Sequence, residues 1–162
     1  MILPVVDDVD TAPFWTAARE GHLVVQRCTA CSRWRFPPAV RCSDCRSGEF
    51  EWTAVSGAAT VWSFVIAHGP TLPGYAEETP FPVAVVELAE GSHLRMVGNV
   101  LPAADARLGS LTAGDISIGD PVRVAFREIG PNVVLPVWIP DVGGGAEAAL
   151  PTRKNEGDDA NV

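Results

Sequence analysis

The sequence predicts a mainly β protein: an N-terminal helix, a rubredoxin-like zinc ribbon, a five-stranded OB-fold barrel and a disordered C-terminal tail. Two observations carry this reading. Cys28, Cys31, Cys42 and Cys45 are spaced C-x2-C-x10-C-x2-C, between short runs that alternate like strands. Beyond Gly57, five more runs rich in Val, Ile, Phe and Trp follow without helical periodicity. The expected division is a leader and helix over 1–21, the ribbon over 22–56, the barrel over 57–140 and the tail over 141–162.

The elements follow in chain order. Asp10 or Thr11 caps a short helix, Pro13 suits its first turn, and Phe14, Trp15 and Ala18 fall at helical spacing before a stop at Gly21. Leu23-Val24-Val25 leads as a strand into the first cysteine pair. Trp34-Arg35-Phe36 is a second short strand, stopped by Pro37-Pro38, and 49–55 alternates with the period of a half-buried strand. Strand, knuckle, strand, knuckle, strand is the layout of a zinc ribbon. Strands are then expected over 60–67, 83–88, 94–100, 122–127 and 133–139, with Glu90-Gly91 at a hairpin turn. Residues 69–82 form one long loop and 102–119 another, the second holding a helical turn. Five short strands with two longer connections suit a small closed barrel of the OB type. Gly143-Gly144-Gly145 and the polar, acidic run after it read as the disordered tail.

A chain of 162 residues makes one compact domain or two small lobes sharing an interface. Its 47% hydrophobic and 20% charged residues describe a globular protein. No apolar run approaches the ~20 residues of a membrane span. The first ten residues hold three aspartates and no basic leader, so we expect a cytoplasmic protein with reduced cysteines. Two close cysteine pairs in that setting are metal ligands before they are disulfides. Each pair forms a tight knuckle, and two knuckles complete the tetrahedron of soft ligands that zinc favours, with iron in a rubredoxin-like site as the alternative. A four-thiolate site leaves no open position, so the metal is structural and no thiol is left for catalysis.

The remaining chemistry is sparse. His22, His68 and His93 lie in separate segments, Glu77-Glu78 falls in a loop, and no phosphate-cradling glycine loop is present. A formal charge of −8 argues against general affinity for nucleic acid or anionic membrane. Residues 50–140 carry nine acids against Arg95, Arg107, Arg123 and Arg127, a poor groove for single strands, although Phe64, Tyr75, Phe81, Phe126 and Trp138 could stack on bases. Residues 27–46 are the exception: Arg27, Arg33, Arg35, Arg41 and Arg46 face Asp44 alone, a local +4 that would offset the net −2 of a zinc–tetrathiolate centre.

A resemblance adds to this reading. Phe14-Trp15, Gly21-His22-Leu23-Val24-Val25-Gln26-Arg27-Cys28-Thr29-Ala30-Cys31 and Phe36-Pro37-Pro38 ahead of Cys42-Ser43-Asp44-Cys45 resemble the opening of bacterial and archaeal zinc-ribbon/OB-fold proteins associated with acyl-CoA enzymes. Trp52-Thr53-Ala54-Val55-Ser56-Gly57, Pro80-Phe81-Pro82-Val83-Ala84, Glu87-Leu88-Ala89-Glu90-Gly91, Gly98-Asn99-Val100, Ile118-Gly119-Asp120-Pro121-Val122 and Leu135-Pro136-Val137-Trp138 continue it in order, over about residues 13–140. The sequence departs at Ser32, where a glycine is usual, and at Ser43, where a proline is usual.

The resemblance implies a non-catalytic accessory subunit of a thiolase-like or retro-aldolase enzyme, some relatives pairing instead with an enoyl-CoA hydratase. It implies acyl-CoA as a ligand shared with the partner in a hetero-oligomer, in steroid side-chain, fatty or aromatic acid breakdown. Tyr75 and Phe81 are then candidates for lining the coenzyme channel from a loop, and Arg33 and Arg35 for meeting its phosphates or an acidic patch of the partner. A stand-alone acyl-CoA or small-molecule carrier is the main alternative, a nucleic-acid-binding module the lesser one.

Overall fold

The computed structural model describes residues 3–142, so the tail expected from Gly143 onward lies outside the described residues. Helix α1 spans Ala12–Arg19. Thr11 is its N-cap, Pro13 sits in its first turn, and the Asp8 carbonyl accepts from the Thr11 and Ala12 amides. It ends where Gly21 adopts φ +79°. The Gly21 amide then donates to Ala18 and the His22 amide to Ala17, a Schellman close that glycine makes cheap. Phe14 and Ala18 are buried on one face, as their spacing predicts.

The ribbon is a three-stranded antiparallel sheet in the order β2-β1-β3, with β1 at Val24–Cys28, β2 at Trp34–Arg35 and β3 at Phe50–Ala54. β1 pairs with β3 along its whole length, from Val24 opposite Ala54 to Cys28 opposite Phe50. Period-two alternation puts Gln26 and Cys28 on the face shared by Arg35, Trp52 and Phe50.

The second sheet runs β6-β5-β4-β7-β8, with β4 at Ala58–Ala67, β5 at Phe81–Leu88, β6 at Arg95–Asn99, β7 at Pro121–Gly130 and β8 at Val133–Pro140. A parallel bridge between Val100 and Trp138, with the Leu101 amide donating 2.8 Å to the Trp138 carbonyl, joins the two edge strands. The sheet thereby closes into the five-stranded barrel expected of an OB-fold. A register shift between Val61 and Ser63 leaves Trp62 as an extra residue in β4.

Three details differ from expectation. β5 begins at Phe81, two residues before the predicted start. The turn expected at Glu90-Gly91 is a six-residue connection, because Leu94 is pulled fully into the core and its amide donates to Gly91. The 102–119 connection holds two 3-10 turns, Leu108–Ser110 and Ala113–Asp115, rather than one helical turn.

Ribbon, helix and barrel share one core: Phe14, Leu23 and Val25 pack in the same cluster as Val61, Val86, Met96 and Trp138. A smaller cluster gathers Phe81, Leu101, Leu108 and Val137 under the 69–80 loop. The ribbon–barrel junction passes through Gly57 at φ +77°, where a Cβ would collide with the Val124 side chain. Gly57→Ala therefore meets both a backbone and a steric penalty and should cost about 2 kcal/mol or more in denaturant unfolding. Gly21→Ala, with a similar φ but nothing within 4 Å of the new carbon, should cost only about 1 kcal/mol.

Candidate metal centre and the surfaces around it

The two cysteine pairs sit on two knuckles with the same hydrogen bonds. In the first, the Ser32 amide donates 2.8 Å to the Cys28 carbonyl and the Cys28 amide 2.9 Å to Arg33. In the second, the Arg46 amide donates 3.1 Å to Cys42 and the Cys42 amide 2.9 Å to Ser47. Each knuckle needs a left-handed residue just past its second cysteine, and Ser32 (φ 60°) and Arg46 (φ 65°) supply it. The serine found in place of glycine therefore keeps the turn, under backbone strain.

The knuckles bring all four sulfurs within 4.8 Å of one another. Cys28 and Cys45 approach to 3.6 Å, as do Cys31 and Cys42. A tetrahedron with metal–sulfur bonds of about 2.3 Å has edges of about 3.8 Å, so the cage fits zinc. Cys28 and Cys42 are buried at the sheet end, while Cys31 and Cys45 face outward.

The backbone prepares the site for negative charge. The amides of Cys45 and Asp44 draw the Cys42 thiol down to about 6. Burial opposes ionisation of Cys28, but the amides of Cys31 and Ala30 outweigh it and lower this thiol too. At Cys31 the Arg33 amide also favours the thiolate, yet the neighbouring Cys45 thiol and desolvation prevail and push it up to about 12. Four crowded sulfurs cannot all ionise on their own; a divalent cation removes that conflict. Bound there, it would serve as a closed structural centre.

The other predicted residues fall in separate places. Arg33 pairs with Asp44 at 2.8 Å on the second knuckle. Arg35 is 6% exposed, with its guanidinium 4.7 Å from the centre of the Phe50 ring. Phe81, expected in a loop, opens β5 and is buried in the smaller core cluster, because the loop closes over it. Tyr75 is half-buried and stacks obliquely on Phe81 at 6.2 Å, anchoring the same loop. His22, His68 and His93 are all exposed.

Sequence reasoning missed an apolar groove of about 270 Å³ between α1, the ribbon and the barrel, lined by Phe14, Trp15, Phe36, Met96, Gly98 and Pro136 among others. Gly98 is required in it: a Cβ there would lie 2.7 Å from the indole nitrogen of Trp138. That N–H is fully buried and has no acceptor among the described residues. The glycine in Gly98-Asn99-Val100 was the only sequence signal of this close approach. Pockets that bury a drug-sized ligand measure about 300–1,000 Å³, so this groove does not enclose an acyl-CoA by itself.

Comparison with known proteins gives this architecture a family. Residues 15–51 match "ChsH2, rubredoxin-like zinc ribbon domain", and residues 52–127 match "ChsH2, C-terminal OB-fold domain". A solved structure described as "Ltp2-ChsH2(DUF35) aldolase" superposes with a TM-score of 0.71 at 34% identity, covering 85% of this chain and 98% of that one. The chain belongs to the DUF35 family. A DUF35 protein of unknown function from Sulfolobus solfataricus shares the fold, with a TM-score of 0.56 at 14% identity over 83% of this chain and 87% of that one. Two curated relatives are longer. A probable enoyl-CoA hydratase alpha subunit of Thermomonospora curvata is 39% identical over 135 residues. The 3-oxo-4,17-pregnadiene-20-carboxyl-CoA hydratase alpha subunit of Mycobacterium tuberculosis is 36% identical over 132. Each match takes in 82% of this chain but only 38% of the relative's length. The family resemblance read from the motifs is thus established, together with the ribbon and the barrel. Among the described residues no helix is long and apolar enough to cross a membrane.

Two outcomes follow from the cage. Metal analysis of the purified protein should find one zinc per chain, and Cys42→Ser should lose it together with the ordered ribbon amides in an NMR spectrum. Ser32→Gly, which relieves the left-handed strain at some cost in chain entropy, should keep the zinc and stabilise the protein by up to about 1 kcal/mol.

Proposed function

We propose that this protein is a non-catalytic accessory subunit of an aldolase acting on acyl-CoA esters, which it supports by docking through a zinc-stabilised ribbon and by helping to hold the coenzyme ester. The observation that carries the proposal is the near-complete coverage, 98%, of the DUF35 chain of an Ltp2–ChsH2 aldolase at 34% identity. The site geometry agrees with it. Among the described residues every cysteine belongs to the cage, and no histidine is hydrogen-bonded to a carboxylate, so a nucleophile–base pair is not assembled. A groove too small to enclose an acyl-CoA suits a ligand shared with a second subunit. The zinc, held by Cys28, Cys31, Cys42 and Cys45, would contribute folding energy and take no part in the reaction. A thiolase-like catalytic subunit would supply the nucleophile and base.

Steroid side-chain thioesters are the favoured substrate class, since one relative is named for a pregnadiene carboxyl-CoA. The hydratase names of the curated relatives favour a second reading, in which the partner is an enoyl-CoA hydratase. We assign the aldolase because the solved aldolase chain is matched over 98% of its length, whereas the match takes in only 38% of either hydratase relative. Purification of the tagged protein from its native host should bring down a CoA-dependent aldolase subunit in stoichiometric amount, and the protein alone should show no turnover. Capture of a hydratase alone would move the assignment to the second reading. Capture of no CoA-dependent enzyme, or turnover by the isolated chain, would contradict both.

A further inference from the structure

We propose that the recess between the second knuckle and the β5–β6 connection is a phosphate-binding subsite. It has a volume of about 220 Å³ and is lined by Arg33, Arg35, Arg41, Ser43 and His93, with Trp34 as one wall. No carboxylate lines it. Its deepest cation is Arg35, whose Nε, Nη1 and Nη2 are each buried without a hydrogen-bond partner among the described residues. The face of Phe50 covers one side of that guanidinium and satisfies none of its five N–H groups. No cage sulfur accepts a hydrogen bond from it among the described residues. A buried guanidinium left in this state is costly, and an acceptor with several oxygens relieves the cost.

Charge selects the acceptor. Residues 27–46 hold five arginines against one aspartate. Arg33 is already paired with that aspartate, while Arg41 makes only a contact to the Arg46 carbonyl. Of the cations lining the recess, Arg35 and Arg41 are therefore the two without a carboxylate partner among the described residues. A phosphate monoester carries about −1.5 to −2 near neutrality and presents three strong acceptor oxygens, which suits two guanidinium groups with no carboxylate partner. On the barrel side the recess is bounded by His93 of the β5–β6 connection. Under the acyl-CoA reading above, on which the nucleotide source alone rests, the phosphate is the one on the coenzyme's ribose.

Titration of the ¹⁵N-labelled, zinc-loaded full chain tests the site without any partner. Inorganic phosphate and adenosine 3′,5′-bisphosphate are the probes, with sodium chloride matched for ionic strength. The expected result is saturable shifts at the amides around Arg35, Arg41 and His93, absent with chloride. Arg41→Ala, at an exposed position, should weaken binding at least fivefold with the zinc content unchanged, and Arg35→Lys should do so at least as strongly. If Arg35→Lys fails to fold, Arg41→Ala decides. Bisphosphate binding tenfold tighter than phosphate supports the site with a nucleotide as its source; equal binding supports it for phosphate alone. Linear, non-saturating shifts for both probes, or affinity unchanged in Arg41→Ala, would overturn the proposal, and neither result would bear on capture of an aldolase.

Discussion

Four sulfurs brought within bonding distance of one cation are the constraint on which the ribbon depends. The ribbon sheet is small: its edge strand β2 has two residues, and β3 is largely exposed. Packing alone gives such a sheet little reason to hold one shape. Main-chain hydrogen bonds of the knuckles join the end of β1 to the turn before β2 and to the residue before β3, and a bound zinc would tie those ends together. Closed metal centres in small folds supply on the order of 10 kcal/mol, enough to outweigh the entropy of ordering a segment of this size.

What the ribbon holds up follows from its pairing. β1 carries Val25 into the shared core and leaves the buried Gln26 to accept from the Ala39 amide and position the proline-rich segment. Phe14 of the helix rests on Phe36 of that segment at 5.9 Å. The barrel joins through Gly57 and through the Glu90 carboxylate, which accepts 2.6 Å from the Ser56 amide. The apolar groove and the basic recess both lie along this junction, so both are shaped by the ribbon's seating on the barrel. On the proposed accessory role, presenting surfaces to a partner requires that junction to be rigid.

Much of this was legible in the sequence because the signals were local. The cysteine spacing, Pro13 and Gly21 around the helix, and strand runs such as 133–139 each depend on residues within a few positions. The features that were missed depend on contacts between distant segments. Phe81 reads as a loop aromatic until β5 is seen to extend back to it and the 102–119 connection to fold over it with Leu101 and Leu108. The contact of Gly98 with Trp138 spans two strands brought together only by barrel closure. Arg35 looks like one of five surface arginines, yet antiparallel pairing with Gln26 turns it inward beneath Phe50. Ser32 shows the opposite case: it departs from the family pattern, yet the backbone keeps the left-handed turn.

On the proposed reading, the chain completes a catalyst without being one. Reconstitution measures this most directly: carbon–carbon cleavage of a steroid side-chain acyl-CoA by the aldolase subunit alone, by this protein alone, and by the two mixed at increasing ratio. Little or no activity is expected from either component, with turnover rising to a plateau at a fixed stoichiometry and falling when Cys42→Ser replaces the zinc-loaded chain. Full activity of the aldolase subunit alone, unchanged by the added protein, would contradict it.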